Sequence, residues 1–478
     1  MKVYITTTIP YVNGSPHIGF ALELAQADAL CRYYRRRGDE VLLQTGSDDN
    51  AFKNVISARN RGVGVTDFVD RNSAEFQELS QLLGISYDNF IRTSRPGHRR
   101  GVQRFWRRLN PDDLYWQDYA GLYCFGCEDF LQEKELVDGL CPEHRTAPAA
   151  IAERNCFFRL SKYQSQLERL IADDVIAIKP ERCKNEVLAF IRGGLRDISV
   201  SRSAERVANW GIHVPGHSDQ IIYVWIDALI NYISGLGDDD SENFCKYWNR
   251  DTLKIHVIGK NVWKFHAVYW PALLLSAGLP LPDRIFVHGF LTVNGRKIGK
   301  SLGNGIDPAA VIRDYGAEAV RYYLLEAVQP FNDCDFSVAN LIAVYNSHLA
   351  NGIGNLCSRL KVLGEKSGCR YFPKPVLSVS DFSYDGSVEN FRFDEALDRI
   401  RGEVAAVNRD IESEKPWELL KNEDFSRLHR LLSGWYDRLD MIVGQLTPFL
   451  PRCAARISAL NGCVTPQSPG ELFPRLKL

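Results

Sequence analysis

The chain lacks any apolar run long enough to cross a membrane; the best, residues 267–281, is broken by Pro271, Gly278 and Pro280. It also lacks an excess of either charge: 58 Lys and Arg against 59 Asp and Glu leave −1. The molecule as a whole therefore does not announce a nucleic-acid partner, and contact with one would need local patches. Arg99, Arg100, Arg104, Arg107 and Arg108 form one candidate, for which a solvated helix face is the ordinary reading. A secretory signal is missing too, since the N-terminus holds threonines and only Lys2 as a charge. Methionine is scarce, at two residues, and nothing follows from that. Cysteine is not scarce. Twelve Cys without a targeting segment point to a reducing, cytoplasmic setting, and to metal or buried thiols over disulfides. At 478 residues, 45% hydrophobic and 24% charged, several ordinary globular domains are expected.

Residues 9–20 are the most informative stretch. An apolar, β-branched run over residues 3–8 reads as a buried strand, and Asn13-Gly14 breaks it. Ser15 suits an N-cap and Pro16 a first helical position, with the helix running to about Arg37. A strand, tight turn and helix N-terminus aim unpaired N–H groups and a positive dipole end at one spot, which suits an anion. His17 and Gly19 sit at its lip. An ordinary capped helix start is the plain alternative. Far along the chain, the glycine-rich stretch of residues 294–304 carries Lys297, Lys300 and Ser301, suited to gripping a polyphosphate and moving with it.

Three further segments carry chemistry. Residues 41–44 read as a second parallel strand, ending in Asp48-Asp49-Asn50. There Asp48 could hold an ammonium group or simply cap a helix. Cys124-x2-Cys127-x13-Cys141-x2-His144 has the spacing of two knuckles that close a tetrahedron around one structural zinc, with no position left for a catalytic water. Cys156 and Cys183 fall outside that pattern. Trp225 and Tyr232, seven apart, share one helix face, an arrangement more usual for core. A strand over residues 255–258 precedes a helix carrying Val262, Phe265 and His266, and a strand over 284–290 leads to the lysine loop. Residues 338–459 read mainly as helices, with 364–384 as an exposed connector.

The pair His17-Ile18-Gly19 and Lys297-x-x-Lys300-Ser301 resembles the HIGH and KMSKS signatures of class I aminoacyl-tRNA synthetases. The flanking sequence is most similar to the methionyl-tRNA synthetases, over nearly the whole chain. That resemblance implies an α/β fold in which a Rossmann-like parallel-sheet catalytic domain (1–115 and 211–292) is split by a zinc-binding insertion (116–210). A stem-contact segment (293–337) and a helical-bundle anticodon domain (338–478) follow. It implies ATP binding by Pro16, His17, Gly19, Lys297, Lys300 and Ser301, with His17, Lys297 and Lys300 catalytic. It places the amino acid against Ile9, Tyr11, Asp48, Trp225, Leu229, Tyr232, Val262 and His266, and the anticodon against Asn355, Arg359 and Trp417. Mg²⁺ would arrive with ATP, and the absence of an appended C-terminal domain implies a monomer.

The sequence departs from the family at four places. Phe20 replaces the second histidine of the first signature, and Ile298-Gly299 replace Met-Ser in the lysine loop. Asn50 stands where a histidine is usual, and Asn261 where an aspartate is usual. Three functions are therefore carried forward: a methionine–tRNA ligase with ATP, methionine and tRNA(Met) as partners; an enzyme that passes an activated amino acid to a small molecule; and an inactive tRNA-binding relative.

Overall fold

The computed structural model describes every residue except 127, 143–144, 294, 299–304, 370–384, 462–471 and 478. The first apolar run forms β1 (Lys2–Thr7), buried from Val3 onward. Helix α1 (Ile18–Arg36), strand β2 (Glu40–Ser47) and helix α2 (Phe52–Asn60) follow. Next come β3 (Asn89–Arg92), then β4 (Leu114–Cys124), β5 (Asp129–Leu131) and β6 (Ala149–Phe158) of the insertion, and β7 (Ala177–Lys179). Two further strands, β8 (Thr252–Gly259) and β9 (Arg284–His288), complete the central sheet.

Six strands make one parallel sheet in the order β3-β2-β1-β8-β9-β7. Its central strands are buried on both faces, which is why they read as continuous apolar runs rather than alternating ones. The insertion builds its own antiparallel sheet, with β4 between β5 and β6.

The chain divides into two compact units. One contains Met1–Pro16, Glu40–Ser80 and Tyr87–His288; the other contains His17–Asp39, Gln81–Ser86 and Gly289–Leu478. The second unit holds α1 together with α3 (Ala317–Glu326), α4 (Val338–Tyr345), α5 (Asn355–Ser367), α6 (Phe393–Glu414), α7 (Phe425–Leu446) and α8 (Pro451–Asn461). Helix α1 is buried nearly all round, unlike an ordinary surface helix, and α3 is among the helices packed on it.

Four local readings are corrected. The cap of α1 is His17, not Ser15, and Pro16 lies outside the helix, because the imidazole itself accepts from the Gly19 amide. The helix expected to carry Trp225 and Tyr232 is two short pieces, Val224–Leu229 and Asn231–Ser234. The segment carrying His266 passes through a π-helical turn, Phe265–Tyr269, and a second π segment, Asn346–Gly354, joins α4 to α5. Helix α5 continues into the expected connector and stops at Gly368, whose φ of 66° is left-handed. Residues 370–384 of that connector lie outside the described residues.

Candidate active site

In the first unit, residues just past β1 and β2 and from the segments around 225–266 meet in an aromatic cluster. Just past β1, Tyr11 forms a parallel bridge with Asp48, and the Asp48 N–H donates to Pro10 O at 2.9 Å. The Asp48 carboxylate is fully buried. Its Oδ1 accepts from the Asn50 N–H at 3.0 Å and from the Thr93 hydroxyl at 3.1 Å. Its Oδ2 has no hydrogen-bond partner among the described residues. Burial, followed by the charges of Asp227 and Glu128, pushes this carboxyl well above its ordinary range. A cation at Oδ2 would relieve that penalty.

The wall beside Asp48 is aromatic. The Tyr11 ring lies 5.8 Å from Trp225, and Trp225 stacks on Phe265 at 3.8 Å with planes 5° apart. The Tyr232 hydroxyl and His266 Nε2 are 2.6 Å apart, while His266 Nδ1 lies 2.9 Å from Val262 O. A carbonyl can only accept, so Nδ1 carries a proton, and in the neutral ring Nε2 accepts from Tyr232. Leu229 and Val262 are buried and Ile9 is half-buried. Beneath Tyr232, His256 is fully buried and held well towards its neutral form by that burial, with further lowering from His266 and Lys254.

Behind Asp48 runs a polar network that sequence reasoning missed. Asn50 donates to Asp227 Oδ2 at 2.7 Å and to Thr93 O at 3.1 Å. His98 spans Asp227 Oδ1 and the Ser234 hydroxyl, each at 2.6 Å. The unusual Asn50 is thus a bridging residue that uses its amide donors on two buried acceptors. No local signal announces this, because its partners lie 43 and 177 positions away.

Of the four residues expected to form a zinc knuckle, two are described. Cys124 ends β4 opposite Asp129, while at Cys141 the Arg145 N–H donates to Cys141 O at 2.8 Å and the Cys141 N–H to Thr146 O at 2.9 Å. Both thiols are buried. Cys127 and His144 lie outside the described residues, among which no three ligand-type side chains cluster. Burial pushes the Cys156 thiol, outside the pattern, up to about 12, so it is no reactive thiolate.

The second unit holds the remaining candidates. His17 Nδ1 accepts from Gly19 N at 3.1 Å, so the other nitrogen, Nε2, carries the proton in the neutral ring. A Cβ at Gly19 would lie 3.0 Å from both Cε1 and Nδ1 of this imidazole, so the glycine makes room for the cap. Pro16, assigned to the first unit, is half-buried, and Phe20 is buried. Lys297 ends a short strand, Arg296–Lys297, that pairs antiparallel with Leu291–Val293. Asp335 anchors this hairpin, accepting from Gly295 N at 3.0 Å and from the Thr292 hydroxyl. Lys300 and Ser301 lie outside the described residues. Asn355 and Arg359 line a cavity of about 620 Å³ in the helical bundle, where Arg359 binds Glu412 at 2.6 Å and Asn408 at 3.2 Å. Trp417 is 46% exposed and is not part of that lining.

The family model described as "tRNA synthetases class I (M)" matches residues 3–152 and 144–361. The chain belongs to this family. This synthetase chain is 38% identical to the methionine–tRNA ligase of Thermotoga maritima, covering 94% of this chain and 74% of that one. It is also 38% identical to the Nostoc enzyme of the same name, covering 95% and 88%. A Mycobacterium tuberculosis methionyl-tRNA synthetase in complex with methionyl-adenylate superposes with a TM-score of 0.90 at 35% identity, over 99% of this synthetase and 100% of that chain. Among the described residues no helix is long and apolar enough to cross a membrane.

Proposed function

We propose that this synthetase is a methionine–tRNA ligase, which activates methionine with ATP and transfers it to tRNA(Met). The observation that carries the reading is the buried Asp48 Oδ2, unpartnered among the described residues and set beside the Tyr11–Trp225–Phe265 wall. Asp48 receives the α-ammonium by a charge-assisted hydrogen bond. The apolar rings, with Ile9, Leu229, Tyr232, Val262 and His266, take the thioether, whose ring contacts are worth about 0.3–1.5 kcal/mol each.

In the first step a carboxylate oxygen of methionine bonds to the α-phosphorus of ATP and the bond to pyrophosphate breaks. The nucleophile is already ionised, so catalysis is positioning and charge stabilisation. His17 donates from Nε2 to phosphate oxygen at the start of α1, with Pro16 and Gly19 shaping the approach. Lys297, Lys300 and Ser301 steady the departing pyrophosphate. Mg²⁺ arrives with ATP. In the second step a terminal ribose hydroxyl attacks the adenylate carbonyl, AMP leaves with the bonding electron pair, and the hydroxyl proton is lost. Asn355, Arg359 and Trp417 read the anticodon by edge hydrogen bonds and stacking.

The donor set of three thiols and an imidazole, two of the thiols buried, would suit a zinc ion. Cys124, Cys127, Cys141 and His144 would hold it, as a closed structural site.

Pyrophosphate exchange across the standard amino acids, with and without tRNA(Met), tests the reading. Methionine-dependent exchange and methionyl-tRNA formation are expected. Exchange with methionine but no charging of tRNA points to a small-molecule acceptor, a reading supported by the buried Phe20 that cannot donate to phosphate. Exchange with no amino acid overturns both.

A further inference from the structure

Helix α2 begins four residues after Asp48, and its start is uncapped by its own sequence. The cap position is Ala51, which has no side chain to offer the exposed N–H groups. The acceptor comes from elsewhere. Glu128 lies in the loop joining β4 to β5, one position after Cys127, and its Oε1 accepts from Lys53 N at 3.0 Å. Glu128 is 2% exposed, and its φ of 55° is a left-handed conformation that a non-glycine adopts only when its surroundings hold it there. Phe125 of the same loop meets Phe52, the first residue of α2, with ring centroids 6.4 Å apart.

The cap is relayed to the pocket by the helix it starts. Asn54, on the first turn of α2, donates to Asp48 O at 3.1 Å and to Asp49 O at 2.9 Å. Lys53 carries its ammonium 5.3 Å over the Tyr11 ring. The start of α2 therefore grips the backbone that aims the Asp48 carboxylate.

We propose that Glu128 is a positioning residue of the amino-acid site: the insertion caps α2 in trans and thereby fixes Asp48 for the substrate ammonium. The proposal rests on the reading of Asp48 given above. It couples the insertion to the pocket, because Glu128 and Phe125 both bear on the first turn of α2.

The test compares wild type, Glu128→Ala and Glu128→Gln in the full chain. Each is titrated by calorimetry with L-methionine and with its 2-hydroxy analogue, which keeps the thioether and carboxylate but lacks the ammonium. Hydrogen exchange is followed at the Phe52 and Lys53 amides. Glu128→Ala should weaken methionine binding about five- to tenfold, as loss of a helix cap does, and speed exchange at those amides by a similar factor. Binding of the hydroxy analogue should change by less than about twofold, since it makes no ammonium contact. Glu128→Gln should restore both, because an amide oxygen still accepts from Lys53 N. Equal methionine affinity in wild type and Glu128→Ala overturns the proposal, as does equal weakening of both ligands. If the wild type does not prefer methionine over the hydroxy analogue, it is the Asp48 reading that fails. Unchanged amide exchange in Glu128→Ala then overturns the cap as well.

Discussion

Two buried aspartates, one in each unit, show what full and partial satisfaction of a charge do. In the second unit Asp28 of α1 is wholly buried and wholly engaged. Its Oδ1 accepts from Ser86 N and the Ser86 hydroxyl, each at 2.7 Å, and its Oδ2 from Arg32 at 2.8 Å. The fully buried Arg321 of α3 lies 2.8 Å from the same oxygen and also donates to Phe449 O at 3.0 Å. Burial alone would raise this carboxyl, but Arg321, Arg32 and the two Ser86 hydrogen bonds together hold it below its ordinary range. Asp48, equally buried, keeps one oxygen unpartnered among the described residues and is held above that range. A charge surrounded by its counter-ions belongs to the architecture; a charge left short of them belongs to a ligand.

The sharpest way to break this contrast is to remove each carboxylate. Asp28→Ala leaves Arg321 buried without its counter-ion and should destabilise the fold by about 3–5 kcal/mol, read as a large fall in melting temperature. A small fall would show that Asp28 is not a keystone. Asp48→Asn should do the reverse. Methionine binding should weaken by about 2–5 kcal/mol, read by calorimetry, because a fully desolvated charge contact is lost. Thermal stability should hold or rise, since an uncompensated buried carboxylate disappears.

The two should also part company with pH. Asp28 sits below the ordinary value of 3.8, so its stabilisation is complete above that value and fades only as pH falls through the lower, folded value. Asp48 sits above 3.8, so its contribution is greatest below that value and is lost as pH rises towards the raised, folded one. Melting curves of Asp28→Asn and wild type should therefore converge in acid. Any advantage of Asp48→Asn should appear above pH 4 and grow with pH. The smallest effect is expected at the surface, where the half-exposed Arg104 pairs with Asp238 and Asp239. Arg104→Ala should leave the melting temperature where it is, and a clear drop would mean that exposure is a poor guide here.

Much of this was legible from the chain alone. The buried strands announce themselves as apolar runs. Tyr11, Asp48 and Trp225 stand at one pocket because their segments follow parallel-sheet logic. What stayed hidden is nonlocal. No period betrays the π turn at Phe265–Tyr269, which swings Phe265 against Trp225. Asn50 looks like a lost histidine until Asp227 is beside it, and Glu128 looks like a surface acid until it is seen capping a helix some 75 positions away in the chain. Ser15 and Pro16 offered a textually better helix start than His17, and only the bond from Gly19 decides between them.

That last bond fixes how the imidazole can behave. With Nδ1 turned back onto its own backbone, His17 has little rotational freedom left to lose when a nucleotide arrives, and in the neutral ring its other nitrogen is a donor. The first turn of α1 thus trades adjustability for readiness.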